Sequence, residues 1–324
     1  MKNDSNKKHI GLWWKIPTGI IISLIGVIGI VLGGLNGLKY AIYSDFYAVM
    51  KKEGRIPGTN DGYVAQGIAV DEEKELTLLA GYQSNGVDAS RINVMYKDGT
   101  TRYVEMLTEE GKTYIGHNSG IAIVKDKLWI ADAAGSLVEV NYADVLDKNN
   151  KTVKIERTIP LNNNQAGLIF SYEDKVVIGE YSGYTYFPNN PYESNKNGLQ
   201  HAIAEEYQID DLEHPIRSFS LPNQVQGMAY NDEGDILLSI SFGVSSSQFQ
   251  FFKVDSWAKA SVEHKNAPLY FLDDPTAILK GPAMSEDLDF SNGRFYTSSE
   301  SASDKYIFGK FFFSDYYYSI AIDY

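Results

Sequence analysis

The chain of 324 residues contains no cysteine, which rules out a disulfide framework, a thiolate metal site and a cysteine nucleophile. Positive charge is scarce: 29 Lys and Arg stand against 42 Asp and Glu, for a formal net charge of −13. The first 35 residues hold four Lys and one Asp, a contribution of +3 that leaves −16 on the rest. A surface this acidic argues against nucleic acid as a partner, because binding phosphate requires basic patches that release counterions. It argues equally against simple adhesion to anionic lipid. Cationic ligands, divalent metal, neutral sugars and protein stay open. Also missing are a glycine-rich phosphate loop, a His pair at zinc spacing and a serine nucleophile elbow.

Charge is absent altogether from Ile16 to Leu35, a run of Ile, Leu, Val and Gly matching the roughly 20 residues a helix needs to cross a bilayer core. Lys2, Lys7, Lys8 and Lys15 precede it and Trp13 and Trp14 lie at its edge, so the positive-inside rule places the N-terminus in the cytoplasm. The expected organisation is a basic cytoplasmic tail over 1–15, a transmembrane signal anchor over 16–38 and an extracytoplasmic domain over 39–324, held at the cell membrane by a single pass. Lys39, Lys51, Lys52 and Arg55 weaken the asymmetry and leave the inverted orientation as the alternative. A cleaved signal peptide is the competing reading, although the apolar run is long for one and no small-x-small cleavage site follows.

Beyond the anchor, one phrase keeps returning. Gln66-Gly67-Ile68-Ala69-Val70 recurs as Ser119-Gly120-Ile121-Ala122-Ile123, Ala166-Gly167-Leu168-Ile169-Phe170, Gln226-Gly227-Met228-Ala229-Tyr230 and, more weakly, Glu286-Asp287-Leu288-Asp289-Phe290. Five returns at intervals of some 50 residues predict an all-β, five-bladed β-propeller, with six blades the alternative if the long third repeat hides another. Its insertion, from Pro188 to Gly198, reads instead as a surface loop. Second strands are expected at Leu76–Tyr82, Leu128–Asp132, Val176–Tyr181, Ile236–Ser241 and Arg294–Glu300, each after an acidic or Asn-Gly turn. Fourth strands are expected at Arg102–Leu107, Val153–Ile159, Ile216–Leu221 and Pro268–Leu272. The fifth repeat has a third run at Lys305–Phe313, and a strand over Tyr43–Met50 or the aromatic tail Tyr316–Tyr324 is expected to complete it. Closure by both chain ends removes exposed sheet edges.

First strands of a propeller line its axis, so residues at or just before the repeated Gly should converge there. They are Gln66, His117, Asn118, Gln165, Gln226, Glu286 and Asp287, a ring of amide and imidazole groups with one acidic corner suited to a small polar ligand or glycan. Glu286 and Asp287 are the candidate calcium ligands, since calcium takes six to eight oxygens. The plainer reading puts Asp287 and Asp289 on one solvated strand face. Asp132, Glu180 and Glu300, at second-strand ends, face either the same mouth or solvent. The aromatic tail, with Tyr181, Tyr184 and Tyr186, packs between blades or offers a sugar-stacking platform.

The run Gly116-His117-Asn118-Ser119-Gly120-Ile121-Ala122-Ile123, followed by Leu128-Trp129-Ile130-Ala131-Asp132, resembles the blade phrase of bacterial exported propellers in the broad gluconolactonase, paraoxonase, strictosidine-synthase and NHL-repeat group. Ser285-Glu286-Asp287-Leu288 is similar to the calcium-contacting first strand of paraoxonases. The resemblance implies a propeller with a central site, but the remaining calcium ligands and a catalytic His pair have no counterpart here. The expected function is therefore a membrane-anchored module that binds a ligand, glycan or envelope protein at the channel mouth. The alternative is a calcium-dependent hydrolase, a lactonase, esterase or glycan-acting enzyme, with His117 as base.

Overall fold

The computed structural model describes residues 10–161, 165–183, 186–194, 196, 200–306 and 314–322. The chain divides into two compact units, one up to Ser44 and one from Asp45 onward. The first is the helix α1 (Ile10–Ile42), on which Ile20, Ile21, Ile22, Leu24, Ile25, Val27, Ile28, Ile30 and Val31 are all exposed. Among the described residues no helix is long and apolar enough to cross a membrane; within α1 the described side chains are those of 19–31, 33, 34 and 37–42.

The second unit opens with α2 (Ser44–Val49) and is otherwise built from strands. A strand over Tyr43–Met50 was expected; that stretch is helical, and the strand is β1 (Met50–Arg55). Phe46 on α2 stacks on Phe249 at 5.7 Å and meets Tyr318 edge-on at 5.5 Å, apolar contacts that hold the turn of helix against the sheets.

The strands form antiparallel sets of four. The first is β2 (Tyr63–Asp71), β3 (Leu76–Gln83), β4 (Arg91–Tyr96) and β5 (Thr101–Leu107); the second is β6 (Gly120–Val124), β7 (Lys127–Asp132), β8 (Ser136–Asn141) and β9 (Thr152–Pro160). A short parallel pairing of β5 with β9 joins these two into one eight-stranded sheet. The third set is β10 (Leu168–Tyr172), β11 (Lys175–Gly179), β12 (Ala202–Gln208) and β13 (Arg217–Leu221). The fourth starts with β14 (Val225–Tyr230), β15 (Ile236–Ile240) and β16 (Ser247–Phe252).

Its fourth strand departs from expectation. Pro268–Leu272 falls in a hairpin of β17 (Ala258–His264) and β18 (Ala267–Phe271), which leaves the fourth set and pairs in parallel with β13 of the third. The strand that completes the fourth set is β19 (Ala277–Gly281). The last set is β20 (Ser285–Ser291), β21 (Arg294–Ser299) and β22 (Tyr316–Ile320), completed by β1, so both chain ends close it. Residues 307–313 of the expected third run, including Phe311–Phe313, lie outside the described residues, as do Tyr184, Asn197 and Gly198.

First strands lie side by side in a closed ring, β2 against β6, β6 against β10, β10 against β14, β14 against β20 and β20 against β2. This radial arrangement is a β-propeller. The repeated Gly has its reason here: a Cβ on Gly67 would sit 2.7 Å from the Ile121 nitrogen, and one on Gly227 would sit 2.6 Å from the Leu288 nitrogen. Only a residue without a side chain lets neighbouring backbones come this close.

Adjacent first strands are stitched by side chains rather than by ladders. Asp289 Oδ2 accepts the Val70 N–H at 2.6 Å and Asp287 Oδ2 accepts the Ile68 N–H at 3.2 Å, so two acids spaced by two residues match two amides with the same spacing. Ser241 Oγ donates to the Ser285 carbonyl at 2.8 Å, and Ser171 Oγ to that of Ile123 at 3.1 Å. The fifth copy of the phrase reads differently because its acids make this seam.

Candidate functional site

Asp287 lies at the centre of the ring. Its Oδ2 accepts the Ile121 N–H at 3.2 Å in addition to that of Ile68, so one carboxyl oxygen spans the first strands of two other sets. The residue is fully buried, which corrects the solvated-face reading, and Oδ1 has no partner among the described residues. Burial pushes its pKa well above the usual carboxylate value, against the amide hydrogen bonds that favour the charged form. With the Gly67 and Gly227 backbones in contact range of their neighbours, the axis is filled at this depth.

The adjoining mouth is built by the ends of β2, β3, β20 and β21. Glu286 is 2% exposed and its Oε1 finds no partner among the described residues. Burial first, then the Glu300 and Asp287 charges, hold its pKa well above normal. Burial raises the Glu300 pKa as well, with the Tyr306 hydrogen bond, the Lys305 charge and the hydrogen bonds to Gln66 and Glu286 opposing, so the carboxyl pair shares a proton held more on the Glu286 side. Gln66 Nε2 donates to Glu300 Oε2 at 2.9 Å and Tyr306 OH donates to the same oxygen at 2.7 Å. Tyr306 OH lies 3.4 Å from Tyr82 OH, to which Lys305 Nζ also donates.

Tyr82 stacks on the His117 ring at 4.5 Å, and His117 Nδ1 meets Ser119 Oγ at 3.2 Å. Crowding of the imidazole, then the Lys305 charge, lowers the His117 pKa, with Asp132 opposing. The residue keeps an exposed edge, so this desolvation is partial. Gln66, Glu286, Glu300, Tyr306, Tyr82 and His117 thus form one connected polar surface, with the Lys305 cation beside it.

Three expected members lie elsewhere. Asn118 is fully buried, with φ of 54°, and gives Nδ2 to the Gly81 carbonyl at 3.2 Å and to Met106 Sδ at 3.3 Å. It is a turn residue of the second set, using the tolerance of Asn for left-handed backbone. Gln165 lines a different cavity together with Glu180. Gln226 is half-buried at a bulge between Val225 and Gly227, where the extra residue interrupts the ladder. Among the described residues no group of three or more His, Cys, Asp or Glu is arranged to hold a metal ion.

No family model and no curated protein sequence matches the chain. Solved structures similar to it include the PQQ-bound form of an aldose sugar dehydrogenase from Streptomyces coelicolor, with TM-score 0.45 and 16% identity over 78% of this chain and 77% of that one. Glutaminyl cyclase from Myxococcus xanthus gives TM-score 0.43 and 8% identity over 78% and 92%. BamB from Moraxella catarrhalis gives TM-score 0.36 and 8% identity over 79% and 84%. Likeness of this size carries no argument about activity; the site stands on its own geometry.

The residues that complete the mouth, Tyr82, Glu300, Lys305 and Tyr306, sit at or after the ends of second strands. Glu300 was visible as a second-strand acid, and Tyr82 occupies the matching place in the first set. Lys305 and Tyr306 open the run expected as the fifth repeat's third strand, but they lie in the connection between β21 and β22, so the repeat did not point to them as site residues.

Proposed function

We propose that the chain is a five-bladed propeller, anchored in the cell membrane by α1 with the propeller on the extracytoplasmic side, that binds a small polar ligand presenting hydrogen-bond donors at the Glu286–Glu300 mouth. The anchor rests on the charge-free run 16–35 inside a 33-residue helix and on the Lys residues before it. Five four-stranded sets around a closed ring of first strands support the count of five blades. The observation that carries the binding reading is the buried carboxyl pair itself: Glu286 Oε1 is buried without a partner among the described residues, next to the Glu300 carboxyl. A buried acceptor left unpaired costs free energy that a donor from a ligand recovers. An amine or hydroxyl group fits, and an amine would displace the shared proton.

The calcium-dependent hydrolase has less support. His117 is stacked on Tyr82 and its Nδ1 is engaged by Ser119 Oγ, and a base without a placed substrate proton makes no mechanism.

The test is thermal unfolding of the full chain with ethanolamine, putrescine, myo-inositol or millimolar calcium, since any ligand of the native state raises its stability by mass action. A saturable rise in Tm with at least one of the three organic probes, lost in Glu286→Gln/Glu300→Gln, is expected. No rise with any of them, or a rise with calcium alone that Glu286→Gln abolishes, overturns the reading.

A further inference from the structure

A second cavity, of about 930 Å3, opens over the third set, and none of the mouth residues lines it. It is walled by Glu180 after β11, Ile203 and Glu205 on β12, residues 186–192 and the β17–β18 turn, with Gln165 at its edge. The register that pairs Gly179 with Ala204, continued by the Glu180 N–H to the Ile203 carbonyl at 3.1 Å, sets Glu180 opposite Ile203. Glu205 follows Ile203 by two residues, so both carboxyls project from one face of the sheet.

Their environments differ. Glu205 is 2% exposed, and burial alone would raise its pKa, but His264 Nε2 at 2.9 Å and Lys265 Nζ at 2.6 Å outweigh that and bring it to about 2. Its charge is therefore already balanced. Glu180 is 7% exposed; Oε2 accepts the Ile203 N–H at 3.2 Å, while burial and the neighbouring Glu205 raise its pKa to about 7. Near neutral pH it both donates and accepts hydrogen bonds.

The buried Gln165 Oε1 has no partner among the described residues. Tyr186, on the rim, is 37% exposed, which leaves ring surface free for an apolar face. A charge-balanced cavity, amphiprotic polar groups and an open aromatic ring suit a ligand that is uncharged, rich in hydroxyls and apolar on one face.

We propose that this cavity is a second site that binds a neutral saccharide, with Glu180 and Gln165 hydrogen-bonding its hydroxyls and the Tyr186 ring packing against the sugar face. Phosphorylated or amino sugars are disfavoured, because Lys265 and His264 are already engaged by Glu205.

Isothermal titration of the full chain, kept in a detergent without sugar headgroups, with maltose, cellobiose and N,N′-diacetylchitobiose tests this. Saturable binding of at least one sugar is expected, weakened on the order of ten-fold in Gln165→Ala and in Tyr186→Ala and unchanged in the mouth variant Glu300→Gln. Tyr186 lies at the surface, so its substitution keeps the fold even should Gln165→Ala disturb it. Absence of binding by all three sugars, binding that survives both cavity substitutions, or binding that Glu300→Gln abolishes overturns the proposal. The last outcome would place the sugar at the mouth, whereas failure of the mouth variants to respond to amines leaves this cavity untouched.

Discussion

Asp287 Oδ2 accepts the backbone N–H of Ile121 at 3.2 Å across 166 positions of sequence, from the last strand set to the second. With the Ile68 N–H on the same oxygen, one side chain of β20 becomes the common partner of two other first strands, β2 and β6. Asp287→Ala leaves two buried amides without acceptors and is expected to destabilise the protein by roughly 2–6 kcal/mol, on about 1–3 kcal/mol for each. Asp287→Asn keeps an acceptor oxygen and is expected to cost far less. Urea unfolding of the two variants checks the difference; equal losses would mean that the hydrogen bonds do not matter.

Gly227 tests the closeness of the ring itself. A Cβ there meets the Leu288 nitrogen at 2.6 Å and the Asp287 Cα at 2.7 Å, both backbone atoms that cannot swing aside. Gly227→Ala is expected to lower stability by about 1–3 kcal/mol or more through overpacking. Gly54→Ala meets the Tyr317 Cε1 at 2.6 Å, a side chain that can rotate, and is expected to cost less. Denaturant midpoints at unchanged m-value would show the ranking.

Stability should fall as pH rises from about 4 to 7. Burial raises the folded-state pKa of Asp287, Glu286, Asp289 and Glu180, the last two to about 7. Between the unfolded value near 4 and the folded value, the folded chain holds more protons than the unfolded one, so each group stabilises fully below the unfolded pKa and loses that contribution as pH climbs. The slope reaches at most about 1.4 kcal/mol per pH unit for each proton. Glu180→Gln should flatten the part of the curve below pH 7. A stability that increases over this window in the wild type contradicts the assignment.

The sequence made the hub legible through Gly67, Gly120 and Gly227, because the close backbone approach at these positions tolerates only glycine. Glu286 and Asp287 were legible as the place where the phrase breaks, although the reason, a seam of acids onto the Ile68 and Val70 amides, belongs to three-dimensional spacing. The hairpin of β17 and β18 was not legible: Pro268–Leu272 has the alternation of any strand, and nothing local says which sheet receives it. Asn118 was misplaced because its chemistry suits a ligand and a left-handed turn alike. Lys305 and Tyr306, expected on a third strand, reach the mouth instead from the connection between β21 and β22.

The most direct test of the account is the proton shared by Glu286 and Glu300. Carbon-13 NMR of the protein labelled at glutamate side chains, followed across pH, should show a resonance titrating far above the ordinary range, absent in Glu286→Gln and shifted when the organic probe that raises Tm is added. If every glutamate assigned to the mouth titrates as in a free peptide and none responds to ethanolamine, putrescine or myo-inositol, the mouth is not the binding site described above.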